Sequence, residues 1–126
     1  MGSVTAIHQS PTAPKEREWD WDGTDKMDQI IRERGWGGVA LAHAWHDPNE
    51  DPQHDPPELK GAYKLPHHEL IDGELRVVWR GVVAAMTVVN GAREGVDIPE
   101  SDQRKVYDHL AAHYREFDEE PPDYRS

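Results

Sequence analysis

Asp72-Gly73 constrains the fold of this chain more than any other pair of residues. Two-residue hairpins favour turns with positive φ at both central positions, which Asp-Gly adopts at little cost. The pair is flanked by Leu70-Ile71 on one side and by Leu75, Val77 and Trp79 on the other. This pattern predicts a β-hairpin within Leu65 to Trp79. Leu75, Val77 and Trp79 alternate and are expected to share the core face. Pro66 cannot donate to a ladder, so the first strand is an edge or begins after it.

Two helices are expected after the hairpin. In residues 80–94, Val82, Met86 and Val89 form one stripe, widened by Val83 and Ala85, and Gly95 is a candidate terminator. In residues 99–118, Pro99 suits the first helical position, and Glu100 and Asp102 favour the positive end of the dipole. Val106, Leu110, His113, Tyr114 and Phe117 face one way, with Asp102, Lys105, Asp108, Arg115 and Glu116 assigned to the solvated side. Pro121-Pro122 stops the helix.

The N-terminal half is less regular. Residues 1–18 are polar and aperiodic, which predicts a plain tail or an arm that orders on a partner. Trp19 and Trp21 fall on one face of an extended segment and either pack back on the domain or anchor a partner. Trp36 and Trp45 are grouped with them as candidate partner-binding residues. Residues 24–35 predict a short helix capped by Thr24 and ended by Gly35, with Met27, Ile30 and Ile31 as its apolar stripe. Residues 36–46 fit a strand by alternation and a helix by alanine content.

Residues 47–60 (DPNEDPQHDPPELK) predict an acidic, Pro-rich linker. They contain a near-match to a calcium loop at Asp47, Asn49, Asp51, Asp55 and Glu58. Pro52 stands where that loop needs a positive φ, so the linker reading is preferred.

The expected organisation is therefore an arm (1–18), a helical segment (19–46), a linker (47–60), a hairpin-helix-helix module (61–122) and a tail (123–126). The predicted class is α+β, mainly α: a short hairpin followed by two packed helices, with an extra N-terminal helix and an extended arm.

Charge narrows the function classes. The net charge is −11, with 12 acids against 6 bases in residues 1–60 and 13 against 8 in residues 61–126. A phosphate backbone would be repelled, so no nucleic acid is expected as partner. Few lysines beside many acids also suit a surface solvated in high salt, as in a halophilic host, though ordinary acidic proteins share that balance. There is no Cys, which excludes disulfides, zinc ribbons and thiol catalysis. No apolar run reaches bilayer length, so no membrane partner is expected.

Catalytic patterns are absent from the sequence. Ser3, Ser10, Ser101 and Ser126 lie outside any nucleophile elbow. Among the histidines, His67-His68 sits at the hairpin entry, and His109 and His113 have the i, i+4 spacing that chelates a metal from one helix face. If hairpin and helix pack together, three or four imidazoles converge. The plainer reading makes His109 and His113 core-edge residues bonded to backbone or acids, and it is preferred. No cofactor is expected, with zinc or another divalent metal on His67, His68, His109 and His113 as the alternative.

Several blocks match a known module in order: Tyr63-Lys-Leu-Pro-His-His68, residues 72–86, Val96-Asp-Ile-Pro99 and His109-Leu-Ala-Ala-His-Tyr114. Together they resemble a module of tailed-virus head-gene products, often C-terminal to prohead proteases, over residues 61–122. The resemblance implies a non-enzymatic virion structural protein, a decoration or minor head protein. Its partners would be the major capsid protein or other head proteins, with self-association as a further option. Its location would be the virion head, and the host cytoplasm during assembly. A transient assembly-stage adaptor or scaffold and a metal-stabilised His-rich binding protein stand as alternatives. No catalytic residues carry over, because the protease domain of such proteins lies outside this module.

Overall fold

The computed structural model describes residues 3–4, 11–19, 21, 23–90 and 98–124. The elements run β1 (Ser3–Val4), α1 (Gly23–Ala42), β2 (His43–His46), two short 3-10 turns (Pro48–Glu50 and Lys60–Ala62), β3 (Tyr63–Pro66), β4 (His68–Ile71), β5 (Glu74–Val77), α2 (Trp79–Val89) and α3 (Glu100–Glu116). The fold is α+β, mainly α, with an antiparallel β1-β2-β3 sheet and a separate β4-β5 hairpin. Among the described residues, no helix is long and apolar enough to cross a membrane.

Asp72 (φ 51°) and Gly73 (φ 82°) form the hairpin turn, with Leu70 opposite Leu75 and Ile71 opposite Glu74. The hairpin is shorter than expected. Its first strand begins after Pro66, at His68, while Leu65 and Pro66 belong to β3, which pairs with β2. Nor do Leu75, Val77 and Trp79 share one face. The strand stops at Val77, which is fully buried, and Trp79 opens α2, where it packs against Tyr114 and Phe117.

Residues 36–46 resolve into both expected forms in succession. Gly35 (φ 72°) breaks α1 as a left-handed residue, but helix resumes from Trp36 to Ala42 and gives way to strand at His43. Met27 and Ile30 before the kink, and Val39 and Ala42 after it, face one apolar cluster with Ala62 and Tyr63.

A second and larger cluster joins β2, β3, β5, α2 and α3. It contains Trp45, Leu65, Val77, Val82, Met86, Val89, Val106, Leu110 and Tyr114. The stripes of both C-terminal helices are therefore the core faces, as their period requires. Helix α2 ends at Val89, short of the expected end, and the candidate terminator Gly95 lies outside the described residues. Pro99 is the N-cap of α3 rather than its first helical residue.

Asp102 corrects the face assignment of α3. It is buried and accepts the indole N–H of Trp45 at 3.0 Å. It lies four residues before Val106 and so continues the buried stripe. The helix dipole favours a carboxylate in this first turn.

Of the expected arm, residues 1–2 and 5–10 lie outside the described residues, and residues 11–17 make contacts to the rest of the fold. Residues 11–13 run beside β5, with hydrogen bonds from Ala13 N to Val77 O and from Val77 N to Pro11 O, both 2.9 Å. Ala13 is buried. Glu69 on β4 accepts from Arg17 at 3.0 Å and also pairs with Lys26 of α1, so one carboxylate holds arm and helix together. The linker is ordered by its own acids. Asp51 accepts from Glu58 N at 3.0 Å and pairs with His54, and Tyr63 donates its hydroxyl to Pro57 O at 2.7 Å.

Candidate metal centre

Four of the eight histidines meet between the β3–β4 connection and α3. His67 and His68 are fully buried, and His109 and His113 are each 1% exposed. Adjacent residues in a regular strand point to opposite faces. His67 escapes that rule because it lies in the break between β3 and β4. Two residues earlier, Leu65 adopts a left-handed φ of 65°, a conformation that costs a branched side chain roughly 1–2 kcal/mol. The bend is held by backbone bonds from His67 N to Ala42 O at 2.9 Å and from Val78 N to His67 O at 3.0 Å. It leaves the His67 and His68 rings 4.6 Å apart.

Helix α3 supplies the other pair. Spacing of i, i+4 stacks His109 and His113 on one face, with rings 4.9 Å apart. The His67 ring lies 5.1 Å from His109 and 4.9 Å from His113, and His68 lies 5.5 Å from His113. His67 Nε2 approaches His109 Nε2 to 3.2 Å. One nitrogen each from His67, His68 and His113 lie within 4.8 Å of one another, the sole metal-capable group among the described residues.

Hydrogen bonds assign two of the ring protons. His67 Nδ1 donates to Leu65 O at 3.0 Å, and His113 Nδ1 donates to Glu116 Oε1 at 2.9 Å. In a neutral imidazole the other nitrogen then carries a lone pair. His67 is held neutral. Burial pushes its pKa well below the usual histidine range, neighbouring His68, His109 and His113 add repulsion, and the bond to Leu65 O only partly opposes this.

His43 forms a separate site. It is buried, donates Nδ1–H to Val39 O at 2.8 Å, and touches Trp21 and Tyr63. Burial lowers its pKa to about 4, against the Val39 bond and with help from His46.

The four candidate tryptophans divide. Trp19 and Trp21 stack at 5.4 Å, and Trp19 lies over Gly81 of α2, where an added Cβ would meet its ring at 2.9 Å. Trp36 stacks on Tyr63 at 6.0 Å. These three are half-buried. Trp45 is 3% exposed and bonded to Asp102, so it is a core residue with no surface to offer a partner.

Sequence reasoning missed Glu69, Asp102 and His43 as organising groups. Asp102 had a signal in its helical register with Val106, Leu110 and His113. Glu69 had none, because its partners lie 52 and 43 residues away.

Fold and site together define a small α+β protein with a closed polyhistidine centre. The chain matches no family model, no curated protein and no solved structure.

Proposed function

We propose that the chain is a non-enzymatic structural protein of a tailed-virus head that acts by binding the shell as a decoration or minor head protein. One observation carries this reading. The blocks Tyr63–His68, residues 72–86 and His109–Tyr114, which resemble the head-gene module, pack into one body, and the first and last meet at His67 and His109.

Burial supports a binding role over a catalytic one. A substrate cannot reach imidazoles that are at most 1% exposed. The half-buried Trp19, Trp21 and Trp36 keep apolar surface of the kind that anchors interfaces. The major capsid protein, another head protein or a second copy of the chain would be the partner.

Mass spectrometry of purified virions and proheads of the virus encoding the chain tests this. Many copies in mature virions are expected. Presence in proheads alone would favour the assembly-stage adaptor, and absence from both would overturn the head assignment.

A further inference from the structure

Shell binding through the half-buried tryptophans leaves the buried histidine cluster unexplained, and filling space does not account for it. Four buried imidazoles cost more desolvation than apolar side chains of the same volume. Such a group persists where something repays that cost.

We propose that His67, His68 and His113 bind one divalent transition-metal ion of the zinc class, with His109 as fourth ligand, and that the ion locks the β3–β4 connection onto α3. In tetrahedral coordination with zinc–nitrogen bonds of about 2.0–2.1 Å, ligand nitrogens stand about 3.3 Å apart. His67 Nε2 and His109 Nε2 are already at 3.2 Å. The nitrogens of His67, His68 and His113 lie within 4.8 Å of one another, so bringing these three to tetrahedral spacing shortens each separation by about 1.5 Å at most.

The outer contacts fit the same assignment. Metal-bound histidines donate their second N–H to a carbonyl or carboxylate, which fixes the tautomer and aims the lone pair. His67 does this with Leu65 O and His113 with Glu116. The Glu116 carboxylate also offsets part of the charge an ion would bring into the core.

An all-imidazole set suits zinc and its neighbours rather than calcium or magnesium, which take oxygen ligands. A closed, buried set suits a structural ion rather than a catalytic one, which keeps an open position. A small domain with a limited core gains most from such a staple. The inference is independent of the virion assignment.

The test uses the full chain without a tag, stripped by chelator and titrated with zinc against a chromophoric competitor, and with cobalt(II) as a spectroscopic probe. One equivalent of zinc per chain, a raised Tm reversed by chelator, and the visible bands of tetrahedral cobalt are expected. Glu116 is partly exposed near the end of α3, so Glu116→Gln should fold and bind zinc roughly 10–100-fold more weakly. The double variant His68→Gln/His113→Gln should lose binding, while His54→Gln, at an exposed histidine, should keep it. Should the double variant fail to fold, the native titration and Glu116→Gln decide. Substoichiometric zinc with an unmoved Tm would overturn the proposal. So would zinc uptake unchanged by Glu116→Gln but lost in His54→Gln.

Discussion

Trp45 donates its indole N–H to Asp102 Oδ2 at 3.0 Å, joining β2 to the first turn of α3 across 57 residues of chain. Both side chains are buried, so neither can turn to water if the other is removed. Asp102→Ala is expected to destabilise the fold by about 2 kcal/mol, the scale of a hydrogen bond to a charged group plus an orphaned donor. Asp102→Asn keeps an acceptor oxygen and should cost less. Urea denaturation of the two variants checks the order, and equal stability of Asp102→Ala and native protein would remove the contact from the account.

Acid should weaken the chelator-treated chain well before its carboxylates titrate. His43 has a pKa lowered to about 4 in the fold, and that of His67 lies well below the usual range in the same direction. The unfolded chain binds these protons near pH 6.5 and the native chain does not. Stability is therefore full above about pH 6.5 and falls as pH drops from there toward 4. The shift at His43 corresponds to about 3 kcal/mol. Urea midpoints across that range should decline steadily, and a midpoint constant down to about pH 5 would contradict the neutral, buried state of these rings.

Glu69 gathers Arg17 of the arm and Lys26 of α1 on one buried carboxylate. Burial alone would raise its pKa, and the hydrogen bonds from Arg17 and Lys26 more than offset this, leaving it lowered. That contribution is present above the usual carboxylate range and lost below it. Glu69→Ala removes the acceptor of both cations and should loosen residues 11–19 from β5. Tryptic cleavage after Lys15 is expected to accelerate several-fold under native conditions. An unchanged cleavage rate would place the arm's attachment in its other contacts: the backbone bonds to Val77, the Arg76 bond to Thr12 O and the Lys15–Glu119 pair.

Gly81 and Trp19 form a close contact that makes a double-mutant cycle informative. In an exposed helix interior, Gly→Ala gains about 1 kcal/mol. At Gly81 the added Cβ would meet the Trp19 ring at 2.9 Å. Gly81→Ala should therefore stabilise the chain in a Trp19→Ala background and do so less, or reverse sign, when Trp19 is present. A coupling of about 1 kcal/mol is expected from thermal unfolding. Additive effects would mean that Trp19 does not rest on α2.

The parts legible in the sequence are those governed by neighbours along the chain. Asp72-Gly73 dictated its turn because left-handed φ at two successive positions is a local steric matter. The stripes of α2 and α3 showed their buried faces because helical period is local too, and His109 and His113 shared a face for that reason. Even Gly35 marked its break, although not that helix resumes beyond it.

Tertiary structure decided the rest. The position of the change from helix to strand at His43 depends on β2 pairing with β3, 20 residues on, and no local preference separates the alternatives there. The placing of His67 and His68 against α3 rests on a strained bend at Leu65 and on backbone bonds to Ala42 and Val78, none visible in spacing. Arg17 finding Glu69, and Asp102 finding Trp45, likewise required distant segments to be brought together first. Spacing alone thus determined that two histidines could act as a pair. Only the folded chain, by closing a 42-residue separation between His67 and His109, made them a centre of four.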